Sequence, residues 1–260
     1  MKNDAWNPNQ YDKFKDERSR PFFDLMSLIQ DVKNPKVVDL GCGTGELTAQ
    51  LHKTLNAQDT VGFDSSDEML AKAKTFETAG LHFEKGNIET FAEPSKYDVL
   101  FSNAAVQWCA NHPALLKKFK DSLNPGGQLA IQMPMNHDYP THTLAIEMSS
   151  EQPLNSQLGG QRYSVDQLML TAQDYATHLF KLGFTEQKVF VRVYGHTLDS
   201  REGVIEWVSG TTLTYFKSRL SKEDYAVFLT QYIDRLFKIL KDEKPFFYPF
   251  KRIFIWGRLP

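Results

Sequence analysis

The stretch from Val37 to Glu46, VVDLGCGTGE, constrains the fold of this chain more than any other. An apolar run that meets glycine at three alternate positions and then turns amphipathic reads as a strand, a tight turn and a helix. The same alternation continues downstream. KVVDL (Lys36 to Leu40), DTVGFD (Asp59 to Asp64), LHFEKGN, YDVLFSN (Tyr97 to Asn103) and GQLAIQMP (Gly127 to Pro134) read as strands. ELTAQLHKTL, SDEMLAKAK opened by Ser65 or Ser66, and HPALLKKFKDSL read as the helices between them. Strand alternating with helix at this spacing predicts an α/β fold, a doubly wound, seven-stranded, mostly parallel sheet covered on both faces.

The second half reads differently. From Met135 to about Arg162 the pattern is irregular and polar, and SVDQLMLTAQDYATHLFKLGF then reads as one helix ended by Gly183. EQKVFVRVYGHTL and FKRIFIWGRL read as two late strands that finish the sheet, with helical SREGVIEWVSG and KEDYAVFLTQYIDRLFKIL between them. These helices are expected to form a lid over the carboxyl edge of the sheet. The expected division is an N-terminal covering segment over 1–35, a ligand-binding core over 36–134, and the helical lid with the final strands over 135–260.

Thirty basic against 32 acidic residues give a formal net charge of −2, which shows neither a nucleic-acid footprint nor a basic membrane patch. MKNDAWNPNQ at the N-terminus lacks the apolar core of a signal peptide, and no stretch is long and apolar enough to span a bilayer. A cytoplasmic location is expected. Cys42 and Cys109 are too few for a disulfide framework or a zinc site and read as small buried side chains. No Ser/His/Asp spacing and no metal motif is found, and the seven histidines are scattered.

The glycine turn decides between ligands. A phosphate loop requires Lys and then Ser or Thr after its last glycine, where Glu46 and Leu47 stand. The dinucleotide fingerprint requires a third glycine where Glu46 stands, and a carboxylate at a helix start repels a pyrophosphate. What remains is a nucleoside ligand with a smaller charged part. About twenty residues beyond the glycines, Asp64 closes the second strand and is placed to accept from both ribose hydroxyls. Asp39 precedes the turn, where it fixes the loop or faces an ammonium group. GNIE (Gly86 to Glu89) and FSNAAVQW (Phe101 to Trp108) add polar groups at the ends of the third and fourth strands. Open α/β sheets bind ligands at that edge.

These motifs resemble the class I S-adenosylmethionine-dependent methyltransferases, a Rossmann-like fold, over Lys36 to Pro134. The resemblance implies that Gly41 and Gly43 accommodate the methionine part of the cofactor, Asp64 the ribose, and Asn87 with Ile88 the adenine. Asp39, Ser65, Met69 and Asn103 complete the implied set. One departure is Asn87 itself, where this family often carries Asp.

Outside the cofactor motifs, WNPNQYDKFKDERSRP, SNAAVQW, NPGGQLAIQMP, PTH (Pro140 to His142) and VIEWV resemble the trans-aconitate 2-methyltransferases. SNAAVQWC and FYPFKRIFIWG resemble more loosely the methyltransferases that esterify the malonyl group on an acyl carrier protein. Both families methylate a free carboxylate. The partners implied are a small carboxylic acid or an acyl carrier protein, with no nucleic acid and no membrane. A carboxylic acid with a pKa of about 4 is ionised at neutral pH, so no general base and no catalytic residue is required. Candidates to hold the acceptor are Tyr11, Arg18, Trp108, Arg162, Tyr194 and His196, with Arg20 and Arg201 beside them. After VIEWV the resembled family continues through Gly-Leu-Arg-Pro, whereas this chain has SGTTLTYFKSRL, without the Arg near Thr214.

Overall fold

The computed structural model describes residues 15–260. Strands β1 (Lys36–Leu40), β2 (Asp59–Asp64), β3 (Leu81–Lys85), β4 (Tyr97–Asn103) and β5 (Leu123–Pro134) are parallel to their neighbours in the series. With β6 (Glu186–Leu198) and β7 (Phe246–Arg258) they make a seven-stranded sheet of order β3-β2-β1-β4-β5-β7-β6, and β7 runs antiparallel to β5. The order reverses between β1 and β4, which opens a crevice at their carboxyl ends. β1 and β4 are buried along almost their whole length, as strands covered on both faces must be.

The helices begin where the chemistry of their first turns demands. In order they are α1 (Lys15–Met26), α2 (Glu46–Thr54), α3 (Asp67–Ala73), α4 (His112–Asp121), α5 (Pro140–Met148), α6 (Leu154–Gln157), α7 (Val165–Leu168), α8 (Ala172–Lys181), α9 (Glu202–Ser209), α10 (Thr214–Lys217) and α11 (Lys222–Ile239). Ser66 caps α3 through Met69 N–H, Asn111 caps α4 through Ala114 N–H, Thr171 caps α8 through Asp174 N–H and Ser221 caps α11 through Asp224 N–H.

The chain divides into two compact units. One carries the sheet core, residues 18–134 with 168–192 and 252–260. The other, from 135–167 and 193–251, packs α5, α6, α9, α10 and α11 with parts of β6 and β7 around Leu144, Trp207, Phe216, Tyr232 and Tyr248.

Two readings of the sequence are corrected. The irregular polar segment over 135–162 contains α5, in which Thr141, His142, Leu144, Ala145, Ile146 and Met148 are all buried. The single helix over 164–184 is two, α7 and α8, because Thr171 starts a new helix with its own side-chain cap. β5 also begins four residues early, at Leu123, with a register shift against β4 between Tyr97 and Val99.

Candidate functional site

The turn after β1 is stitched to β2 by main chain. Gly41 and Cys42 N–H groups both donate to the Phe63 carbonyl, at 2.8 and 3.0 Å. Gly41 has φ of +84°, and a Cβ there would stand 2.2 Å from Ala105 Cβ, so only glycine lets the loop after β4 close on this turn. Ile88 lies 3.6 Å from the same point, which brings the loop after β3 to the same place. Gly43 has φ of +57°, and no described residue lies within 4 Å of its absent side chain. Among the described residues, conformation alone therefore requires glycine there.

Asp64 closes this arrangement from the end of β2. Its Oδ2 accepts from Gly43 N–H and its Oδ1 from Ser66 N–H, both at 2.9 Å. One carboxylate thus ties the glycine turn to the start of α3. Each oxygen keeps a second lone pair, enough to accept from a pair of adjacent hydroxyls. Ser65 is exposed and Met69 half-buried on the first turn of α3.

Asp39 sits differently, sealed at the end of β1, where its Oδ2 accepts from Thr48 Oγ1 at 2.6 Å. Burial raises its pKa to about 7, against the lowering by Thr48 and with a further push from Asp64. Thr48 faces it from one turn inside α2, a partner that no motif marks. Cys42 and Cys109 are buried, and burial pushes the Cys42 thiol far above its ordinary range.

Asn87 is exposed in the loop after β3, and its Oδ1 accepts from Glu89 N–H at 2.8 Å. That bond uses one lone pair of the oxygen and leaves the other, with the amide nitrogen, facing outward. Asn103 ends β4, and its Oδ1 is buried without a partner among the described residues. Gln107 follows in the short 3-10 turn Val106–Trp108, donating from Nε2 to the Ala104 carbonyl at 2.7 Å while its Oε1 has no partner among the described residues. That turn is held by His112, whose Nε2 lies 3.1 Å from the Val106 carbonyl and whose Nδ1 lies 2.5 Å from Tyr175 Oη. Trp108 is 47% exposed at its end.

The acceptor candidates separate. Trp108 shares the sheet-bearing unit with the set just described, whereas Arg162, Tyr194 and His196 belong to the helical unit. There Tyr194 and His196 are buried, and the His196 ring lies over Trp207 with centroids 4.5 Å apart. Arg201 closes the end of α11, donating to the Phe237 and Leu240 carbonyls at 2.9 and 3.1 Å and pairing with Asp242. Thr214, where the resembled family carries Arg, donates to the Thr211 carbonyl and brings no charge. Arg20 is exposed on α1. Tyr11 and the Arg18 side chain lie outside what the structure describes.

The helical unit also holds a buried polar group that no spacing revealed. His142 Nε2 meets Thr212 Oγ1 at 2.9 Å, its Nδ1 meets Thr141 Oγ1 at 3.0 Å, and burial lowers its pKa to about 4. Among the described residues, no group of three or more His, Cys, Asp or Glu is placed to hold a metal ion, and no helix is long and apolar enough to cross a membrane.

The chain has relatives among known proteins. Residues 31–183 match the methyltransferase domain family. The trans-aconitate 2-methyltransferase of Deinococcus radiodurans is 40% identical over 260 residues, covering 98% of this chain and 99% of that one. A putative methyltransferase from Bacillus halodurans shares the fold with a TM-score of 0.58 at 16% identity, over 93% of this chain and 99% of that one. The phosphoethanolamine N-methyltransferase 2 of Haemonchus contortus, solved with S-adenosyl-L-methionine, gives a TM-score of 0.54 at 18% identity, over 93% of this chain and 52% of that one. With a relative this similar from end to end, the chain belongs to the trans-aconitate 2-methyltransferase family of S-adenosylmethionine-dependent methyltransferases.

Proposed function

We propose that this enzyme transfers the methyl group of S-adenosylmethionine to a carboxylate of trans-aconitate or a closely similar small acid, forming a methyl ester. The observation that carries this reading is the end-to-end relationship to a protein of that name. The residues at the carboxyl edge of the sheet fit the donor. Among the described residues nothing crowds Gly43 beside the turn, Asp64 keeps lone pairs for two sugar hydroxyls, and Asn103 Oδ1, which has no partner among them, accepts from a cationic head. Asp39, protonated in part near neutrality by its burial, gains its charge when a cation settles beside it.

When bound, the donor supplies an electrophilic methyl carbon on sulfur. The acceptor carboxylate is already ionised, so the chain's work is alignment and exclusion of water rather than proton removal. The uncharged Thr214 favours an acceptor with no more carboxylates than its relatives take.

Incubation with methyl-labelled donor and a panel of trans-aconitate, other di- and tricarboxylates and malonyl-acyl-carrier protein tests this. A base-labile ester on trans-aconitate or a near analogue is the expected result. Transfer confined to the carrier protein, or to none of the acids, overturns it.

A further inference from the structure

One strand carries two glutamines in opposite states. Gln128 of β5 is engaged at both ends: its Oε1 accepts from Gln30 N–H at 2.8 Å and Trp256 Nε1–H at 3.1 Å, and its Nε2 donates to the Gln30 carbonyl at 3.0 Å. Gln132, four residues on and on the same face, is 0% exposed, and neither its Nε2 nor its Oε1 has a partner among the described residues. A buried amide left so is costly, and such groups call for an explanation.

The surroundings of Gln132 supply one. In register beside it on β4 is Asn103, at the end of the strand that leads into Gln107 and Trp108. Asn103, Ala104 and Ala105 are half-buried, so this row opens outward rather than ending in sealed core. On the other side, β7 sets Phe254 opposite Gln132 and Arg252 opposite Pro134, which places the buried Arg252 guanidinium one alternation further along the same face. The two sides differ in character. Toward β4 the bare atoms are the acceptor oxygens of Asn103 and Gln107, suited to a cation, whereas Gln132 Nε2–H is a donor with a fixed positive charge beyond it.

Resting on the methyl-ester reading, we propose that Gln132 is an acceptor-binding residue, its Nε2–H donating to a carboxylate oxygen of the acid while Arg252 supplies the positive field. Donor binding and acid binding then divide along the β4/β5 boundary. The amide donates without adding a second buried charge, and the positive charge of Arg252 lies on the same face of the sheet.

Gln132→Met, close in shape and free of the unsatisfied amide, is the test. It is expected to fold with a Tm at or above that of the parent and to bind S-adenosylhomocysteine within twofold of it by calorimetry. Its KM for the acid, and the Kd of the acid for the S-adenosylhomocysteine-loaded protein, are expected to rise about 10- to 100-fold. Gln132→Glu, which sets a like charge against the anion, is expected to lose acid binding further. Should Gln132→Met fail to fold, Gln132→Asn, which withdraws the same amide by one methylene, carries the same expectation. Acid binding unchanged in these variants overturns the assignment. A parent enzyme that binds no carboxylic acid refutes the methyl-ester reading itself, before any variant is made, and this inference with it.

Discussion

The turn after β1 and the buried polar group of the helical unit are built on opposite plans. In the first, partners are near in sequence and largely main chain: Asp64 reaches Gly43 across 21 positions, and Thr48 reaches Asp39 across 9. In the second, side chains meet from far apart, His142 with Thr212 across 70 positions and Tyr232 with the Thr141 carbonyl across 91. A site of the first kind depends on φ angles and on one carboxylate. A site of the second kind depends on packing and on the protonation of an imidazole.

Asp64→Ala gives the most forceful test of the first plan. It removes two bonds to backbone N–H groups together with the proposed acceptors for the sugar, each bond to a charged group being worth about 1.5–3 kcal/mol. Affinity for S-adenosylhomocysteine, read by calorimetry, is expected to fall about 100-fold or more. A loss under about fivefold on that scale would break the comparison.

The second plan is tested with acid. His142 has its pKa lowered to about 4 in the fold against an ordinary 6.5, so the stability due to the neutral ring is complete above pH 6.5 and drains away as pH falls toward 4. The loss reaches about 3 kcal/mol. Asp39 acts with the opposite sign: raised to about 7, its protonated form stabilises fully below the ordinary value of 3.8, and that contribution is lost as pH rises toward 7. Denaturant midpoints across this range are expected to show the acid limb flattened in His142→Asn and the opposing limb flattened in Asp39→Asn.

The smallest effect sharpens the role of conformation. Gly43→Ala meets no described residue, so only the left-handed backbone is strained, at about 1–2 kcal/mol. A Tm drop matching that figure, without the aggregation that crowding at Gly41 would provoke, separates the two glycines.

The same contrast explains what the sequence revealed. β1 to β4 and their helices were legible because each is short, bounded by glycine or a cap, and periodic within itself. α5 was not, because its buried face mixes the polar Thr141 and His142 with Leu144 and Ile146, and only Thr143 and Glu147 mark its exposed side, so no clean apolar stripe stands out. The break at Thr171 was hidden because apolar residues continue across it through Leu168, Met169 and Leu170. At the candidate site, spacing marked the glycine turn and Asp64, which the structure joins through Gly43 N–H. Thr48, Gln107 and Gln132 were not, since their significance lies in which neighbours they have or lack across the sheet.

The exposed Trp108 gives this enzyme a built-in optical reporter. Trp207 and Trp256 are 2% and 1% exposed, and Trp108 is 47% exposed at the turn held by His112. With Trp6 changed to phenylalanine, emission from the red edge of the spectrum comes chiefly from that one indole. Its colour and its quenching by iodide then follow, in real time, whatever approaches the end of β4.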